Sequence, residues 1–190
     1  MILPIYLYGT PVLRAQAHDI DSSYPDLDKL IENMKETMYA SEGIGIAAPQ
    51  VGLDIKVVYI DASCLKEMYP ELENDATFVL INPEITVLPD GKKCSREEGC
   101  LSVPGIHESV TRVEKINLKW LNEKFEPQER VIEGYLARVV QHECDHLNGT
   151  MFVDHLSPIR KQLIRRKLHD IIEGKARCDY KSKGVKKNLK

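Results

Sequence analysis

Apolar and polar positions recur with two different periods along the chain, and the change of period separates helical from extended segments. Between a Ser-Ser-Tyr-Pro turn and Gly43, apolar residues return every three or four positions, which predicts an amphipathic helix of about four turns. Its apolar positions are Leu27, Leu30, Ile31, Met34 and Met38.

Later segments are rich in β-branched and aromatic residues with partial alternation, which predicts strands. These segments are 55–61, 78–88, 110–121 and 126–132. The helical period returns from Tyr135 through His146, and a basic helix is expected from Pro158 to about Ile172. We therefore expect an α+β fold with an N-terminal amphipathic helix, mostly antiparallel strands, a central helix, and a C-terminal basic helix and tail.

The length of 190 residues corresponds to one domain, and the composition of 43% apolar and 29% charged residues is typical of a globular protein. We expect residues 1–174 to form this domain, with a surface insertion at 62–76, and residues 175–190 to be a flexible basic tail. The N-terminal residues show no secretory signal and no segment reads as transmembrane, so a cytoplasmic protein is expected. Five cysteines without a C-x-x-C pair argue against a disulfide framework.

Charge is distributed unevenly. Residues 160–190 contain 12 Lys and Arg against three acids, a net charge of +9, which leaves −12 for residues 1–159 within the total of −3. Such a run of basic residues is more often a solvated surface, and contact with a polyanionic surface is the alternative.

The central helix contains the sequence Q-H-E-C-D-H-L-N-G at 141–149. In a helix, His142 and His146 project from one face, so both imidazoles can reach one cation at about 2.0 to 2.1 Å. Glu143 holds the position that serves as a general base in H-E-x-x-H helices. Cys144 lies about 200° around the helix from His142 and should face away from the metal.

A third ligand is needed, and several residues are candidates. The longer metallopeptidase pattern has a third histidine where this chain has Phe152, and a downstream glutamate, Glu173, stands beyond a helix break. The segment E-E-G-C-L-S-V-P-G places Cys100 after a glycine at a strand edge, although spacing alone does not select Cys100 over Cys94. A Cys-His-His set leaves the fourth position for water, as in catalytic sites.

Three blocks resemble the signature sequences of peptide deformylases of the bacterial type. They are G-I-G-I-A-A-P-Q at 43–50, E-G-C-L-S at 98–102 and Q-H-E-C-D-H-L at 141–147, and G-T-P-V-L-R at 9–14 is also similar. The resemblance spans most of residues 1–160. It implies a hydrolase that removes the formyl group from the formyl-methionine of nascent chains, with residues 1–174 as the catalytic domain.

The resemblance also implies the roles of individual residues. The implied metal ligands are Cys100, His142 and His146. Metal-bound water is the implied nucleophile, and Glu143 would transfer protons as general base and acid. The Gln50 side chain and the Leu101 N–H are the implied donors to the oxyanion.

The same blocks imply a substrate site. Gly43 and Gly45 would let the substrate backbone approach as an added strand, and Ile44 and Val139 would line a pocket for the methionine side chain. Taken alone, Gly43 and Gly45 are more often simple turn glycines, and Ile44 and Val139 are equally explicable as core residues.

Residues near the implied ligands predict two sets of contacts and leave the substrate preference undecided. Glu98 and Arg112 are expected either to pair and orient the Cys100 strand or to be surface charges. Asp145 is expected to contact a ligand or an arginine. Gly105, His107 and Arg138 depart from the pattern of many bacterial members, so preference beyond the first methionine is not predicted.

One thiolate with two imidazoles suits one Zn(II), Fe(II), Co(II) or Ni(II) ion, and the resemblance favours Fe(II) in the cell. The expected partners are formyl-methionyl nascent peptides and, through the basic C-terminal region, the ribosome, with no membrane and no sequence-specific nucleic acid. A metal endopeptidase and a non-catalytic metal module that binds ribosomes or RNA remain the alternative functions.

Overall fold

A computed structural model describes residues 1–69, 72 and 76–186 of the chain. The strands are β1 (Ile5–Tyr6), β2 (Gly45–Ala47), β3 (Val57–Asp61), β4 (Thr77–Val87), β5 (Lys93–Cys100), β6 (Val103–Val113), β7 (Lys115–Leu121), β8 (Pro127–Glu133) and β9 (Ser182–Lys183). The helices are α1 (Leu27–Ala40), α2 (Gly134–Leu147) and α3 (Pro158–Ile172). The architecture is mixed α and β with mostly antiparallel sheets, in agreement with the expected α+β class.

An antiparallel sheet of five strands, in the order β2-β3-β4-β7-β8, forms the centre of the fold. Successive side chains of a strand point to opposite faces, and β3 shows the consequence. Val58 and Ile60 pack into the apolar cluster that includes α2, whereas Val57 and Tyr59 pack into the cluster that includes α1. The two helices therefore pack on opposite faces of the sheet. Each fully buried aliphatic side chain in these clusters stabilises the fold by about 1.5–3 kcal/mol.

A separate hairpin joins β5 to β6, and a tight turn at Leu101 and Ser102 connects them. The strand predicted over 110–121 is therefore wrong as a single element. The chain leaves β6 at Val113, and Glu114 donates its N–H to the Lys92 carbonyl at 2.7 Å before β7 begins in the central sheet. Alternation alone does not reveal that a chain changes sheets.

The C-terminal segment differs from the predicted flexible tail. β9 pairs in parallel with β1, and the Ile5 N–H donates to the Lys181 carbonyl at 2.9 Å. These backbone hydrogen bonds attach residues 181–183 to the domain, whereas the sequence predicted a flexible tail from residue 175 onwards. Residues 187–190 lie outside the described part of the chain.

The expected surface insertion at 62–76 contains a short 3-10 turn at Ser63–Leu65. Its residues 70, 71 and 73–75 lie outside the described part of the chain. Among the helices that the structure describes, none is long and apolar enough to cross a membrane.

Candidate active site

The structure brings one cysteine and two histidines together at the end of the β5–β6 hairpin. Cys100 ends β5, and His142 and His146 project from one face of α2. Their ligand atoms lie within 4.8 Å of one another, with 3.3 Å between Cys100 Sγ and His146 Nε2. This group contains Cys100 and not Cys94. The β5–β6 hairpin thus places Cys100, which spacing alone did not distinguish from Cys94, beside the two histidines.

The donor set fits a divalent transition metal. His142 Nδ1 lies 3.0 Å from the Glu98 carboxylate, and donation there leaves Nε2 with a lone pair for a metal. Burial opposes ionisation of Cys100, but the imidazoles of His146 and His142 outweigh it and lower the pKa of the thiol to about 5. A thiolate beside two imidazoles is a ligand set of zinc, iron, cobalt and nickel sites.

Phe152 occupies the position where the longer metallopeptidase pattern places a third histidine. Its ring is 1% exposed and stacks on His142 with 6.1 Å between centroids and 24° between planes. Phe152 therefore packs against His142 and supports the orientation of its imidazole. Cys144, which the helical wheel turned away from the site, packs in the apolar cluster between α2 and the sheet.

A buried network of charges holds the Glu98 carboxylate behind His142. Arg112 Nε and Nη2 donate to its two oxygens at 2.7 and 3.0 Å, which confirms the ion pair considered from the sequence. Arg112 Nη1 also donates to Asp145 at 2.8 Å, and Asp145 in turn lies 2.7 Å from His155 Nε2. Burial opposes ionisation of Glu98, yet hydrogen bonds from His142 and Arg112 prevail and lower its pKa to about 2.

Arg138 is a member of this network that the sequence interpretation missed. Its guanidinium is buried, donates to Glu98 Oε1, and also donates to the Val110 carbonyl at 2.8 Å. Arg138 stands four residues before His142 and so lies on the same helix face. An arginine one turn before His142, on the helix face that carries the two histidines, was the available signal for an acidic partner.

Glu143 lies buried between α2 and β2. Burial raises the pKa of its carboxyl group, and Glu143 Oε2 has no hydrogen-bond partner among the residues that the structure describes. A Cβ atom on Gly45 would stand 2.5 Å from Glu143 Oε1, so only glycine at this position leaves room for the carboxylate. Gly45 was predicted to admit the substrate backbone. In the structure, the space that its missing Cβ atom leaves is occupied by the Glu143 carboxylate.

The Gln50 amide is fixed with its nitrogen directed at Cys100 and Ser102. Gln50 Oε1 accepts from the Ala47 N–H at 2.8 Å, which assigns the amide orientation. Its Nε2 lies 3.5 Å from Cys100 Sγ and 3.3 Å from Ser102 Oγ. Leu101 follows the cysteine ligand in the hairpin turn. The two predicted oxyanion donors therefore flank Cys100.

These residues line a cleft of about 600 Å³, a size in the range of ligand pockets. Its walls include the predicted substrate residues Gly43, Ile44, Gly45 and Val139 together with Leu101, Gln50, Glu143, Cys100 and His142. The cleft is also lined by Arg177–Tyr180 of the C-terminal segment, which the sequence interpretation assigned to a tail. Their position depends on the β9–β1 pairing between the two ends of the chain, which no local pattern indicates.

A cysteine on a hairpin and two histidines on a helix, with a buried glutamate beside them, form a possible metal site of the kind found in metal-dependent hydrolases. A family model described as polypeptide deformylase matches residues 2–162. The peptide deformylase of Christiangramia forsetii is 43% identical over 187 residues, which cover 95% of each chain. The chain belongs to the polypeptide deformylase family and is a hydrolase.

Solved structures agree with this assignment. A peptide deformylase from Legionella pneumophila has a TM-score of 0.78 and 38% identity, covering 90% of this chain and 95% of its own. The peptide deformylase from Thermotoga maritima has a TM-score of 0.73 and 39% identity, covering 83% of this chain and 99% of its own.

Proposed function

We propose that the protein hydrolyses the formamide bond of formyl-methionine at the N-terminus of newly made polypeptides, releasing formate. The observation that carries the proposal is the group of Cys100, His142 and His146, beside a cleft that Cys100 and His142 line together with Glu143 and Gln50. Membership of the deformylase family supplies the substrate class. We also propose a cytoplasmic location, where nascent chains are made.

We propose that Cys100, His142 and His146 bind one divalent ion, with Fe(II) as the ion used in the cell. Such an ion, when bound, supplies Lewis acidity that polarises an oxygen atom and lowers the pKa of water towards neutrality. Behind the ligands, Glu98 accepts a hydrogen bond from His142 Nδ1 and so fixes the imidazole tautomer.

Glu143 is proposed as the group that moves protons. A carboxylate whose pKa is raised by burial can accept a proton from the attacking water and then deliver it to the leaving amine. Its location against Gly45 keeps the carboxylate at the wall of the cleft, within reach of a substrate that lies along β2.

Gln50 and the Leu101 N–H are proposed to stabilise the negative charge that develops on the formyl oxygen. The amide of Gln50 is neutral and is held by Ala47, so it donates without reorganising during the reaction. Removal of one such donor typically costs about 3–4 kcal/mol in the barrier.

The substrate is proposed to extend along β2. This strand lies at one edge of the central sheet, and on its outer side no strand of the described residues pairs with it. An extended peptide can add to such an edge through its backbone, which leaves its methionine side chain to Ile44 and Val139 in the cleft.

The test is formate release and mass spectrometry on formylated peptides with wild type and Glu143→Gln. Wild type is expected to remove only the formyl group, and the variant to lose about 10²–10⁴-fold in turnover while it retains its metal. Internal peptide cleavage would instead indicate an endopeptidase. Unchanged function of the variant would indicate a non-catalytic metal module.

The iron assignment has its own test. Protein prepared anaerobically with Fe(II) is expected to turn over faster than protein loaded with Zn(II). Equal turnover of the two forms would refute the assignment of Fe(II).

Ribosome contact is proposed for the exposed basic side chains of α3, which include Arg165, Arg166 and Lys167. Electrostatic attraction to a polyanion weakens with salt, so cosedimentation with ribosomes should fall as ionic strength rises and on charge reversal of these residues. Cosedimentation that is insensitive to both changes would contradict this contact.

A further inference from the structure

The C-terminal segment, residues 176–183, follows α3 as an extended stretch in which exposed and partly buried residues alternate. Ala176, Cys178, Tyr180 and Ser182 are partly buried, and the residues between them are exposed. This period of two is typical of a strand with one face against the protein. The segment therefore presents a protein-facing side and a solvent-facing side.

Contacts on the protein-facing side fix the segment to the active-site hairpin. The Tyr180 hydroxyl donates to the Leu101 carbonyl at 2.5 Å, and Leu101 is the residue directly after the cysteine ligand. Cys178 Sγ lies 3.1 Å from Ser182 Oγ, and β9 pairs with β1 beyond it. Side-chain and backbone hydrogen bonds thus hold the segment beside the metal-ligating group.

Residues 177–180 also bound the cleft that contains Cys100, His142 and Glu143. With the formyl group at these residues and the methionine side chain beside Ile44 and Val139, the rest of a nascent chain has to leave across the rim of this cleft. The rim carries exposed charged side chains, and Arg177 and Asp179 are those that the C-terminal segment contributes.

Neither Arg177 nor Asp179 has a side-chain hydrogen bond or ion pair within residues 1–69, 72 and 76–186. Both charges are therefore available to a ligand. Residues 177–180 also lie beyond residues 2–162, the part of the chain that the family model matches.

We propose that residues 177–180 form a wall of the subsite for the peptide residues after formyl-methionine, and that Arg177 and Asp179 set its charge preference. The proposal rests on the deformylase function proposed above. Arg177 favours an acidic substrate side chain, and Asp179 favours a basic one. The two residues therefore give predictions of opposite sign. A matched charge change outside the cleft distinguishes this local effect from a general effect of charge on the enzyme.

The experiment measures kcat/KM for formate release from formyl-Met-Ala-Asp and formyl-Met-Ala-Lys, both with amidated C-termini so that no terminal carboxylate competes. Arg177→Glu is expected to lower the ratio of acidic to basic substrate by about fivefold, and Asp179→Lys to raise it by about as much. Both shifts should shrink at high salt because exposed charges are screened. Both residues are exposed, so neither change is expected to prevent folding.

Arg166→Glu is the matched control, because it makes the same change of charge on the exposed side of α3, outside the cleft. This control is expected to keep the wild-type ratio. If Arg177→Glu and Asp179→Lys also keep it, the specificity wall is refuted while formate release by wild type leaves the proposed function standing. If wild type releases no formate from either peptide, the proposed function fails and this proposal fails with it.

Discussion

Replacing Glu98 with glutamine tests the buried network behind the metal ligands. The carboxylate contacts Arg112, Arg138 and His142, and its side chain is 5% exposed. Glutamine keeps the size of the side chain and removes the charge. Both arginines then remain buried without this counter-charge, and Asp145 alone stays beside Arg112.

The expected loss of stability follows from the pKa of Glu98. That pKa is about 2 in the folded protein against 4.5 for the free side chain, so the unfolded chain binds the proton more strongly. The charged form therefore stabilises the fold at pH values above about 4.5, and this contribution disappears as the pH falls towards 2. At about 1.4 kcal/mol per pH unit, the contribution is about 3 kcal/mol, similar to the 3–5 kcal/mol cost of breaking a buried ion pair.

Urea denaturation of metal-free protein measures this loss directly. With a slope of about 2 kcal/mol per molar, Glu98→Gln should unfold at a urea concentration roughly 1.5 M lower at pH 7. The difference in stability between the two proteins should narrow as pH falls below about 4.5, because wild-type Glu98 then becomes neutral as well.

Glu97→Gln provides the control for this comparison. Glu97 is the exposed neighbour of Glu98 on β5, so its replacement should change stability by less than about 0.5 kcal/mol. Equal midpoints for wild type and Glu98→Gln, or a difference that stays constant from pH 7 to pH 3, would refute the assigned role of Glu98.

Other substitutions test the catalytic groups and the C-terminal segment. Gly45→Ala places a methyl group 2.5 Å from Glu143 Oε1, so kcat should fall at least about tenfold with metal content unchanged, whereas Gly184→Ala should have no effect on kcat. Wild-type kcat in Gly45→Ala would contradict the close packing of the carboxylate. Gln50→Ala should lower kcat about 10²–10³-fold, and a loss confined to KM would indicate a role in ground-state binding. Tyr180→Phe removes a hydrogen bond to the hairpin and should cost about 1 kcal/mol in urea unfolding, and no loss would show that this bond does not hold the segment.

The parts of the site that the sequence predicted are those encoded within a few residues. The projection of His142 and His146 from one face of α2 follows from their four-residue spacing, and the three sequence blocks predicted that Cys100 belongs with them, where the structure places it. The partners of Arg138 are different, because Glu98 and Val110 lie on strands far away in the sequence. A buried charge on a helix face indicates that a partner of opposite charge exists, but it does not identify the residue.

Local sequence patterns likewise did not predict the pairing of strands that are distant in the sequence. The chain passes at Glu114 from the β5–β6 hairpin into the central sheet, and the two-residue β9 pairs with β1 across almost the whole chain. Strands this short carry little periodicity, and the basic composition of residues 175–186 predicted a solvated tail. For the same reason, the sequence did not predict that this segment forms a wall of the cleft.

The most direct test of the account is the metal content and formate release of Cys100→Ser, measured beside wild type and Cys94→Ser. Wild type and Cys94→Ser are expected to bind a single equivalent of divalent metal per chain and to release formate, whereas Cys100→Ser is expected to lose most of both. Wild-type metal content and turnover in Cys100→Ser would contradict the assignment of this thiolate as a ligand, and with it the proposed catalytic centre.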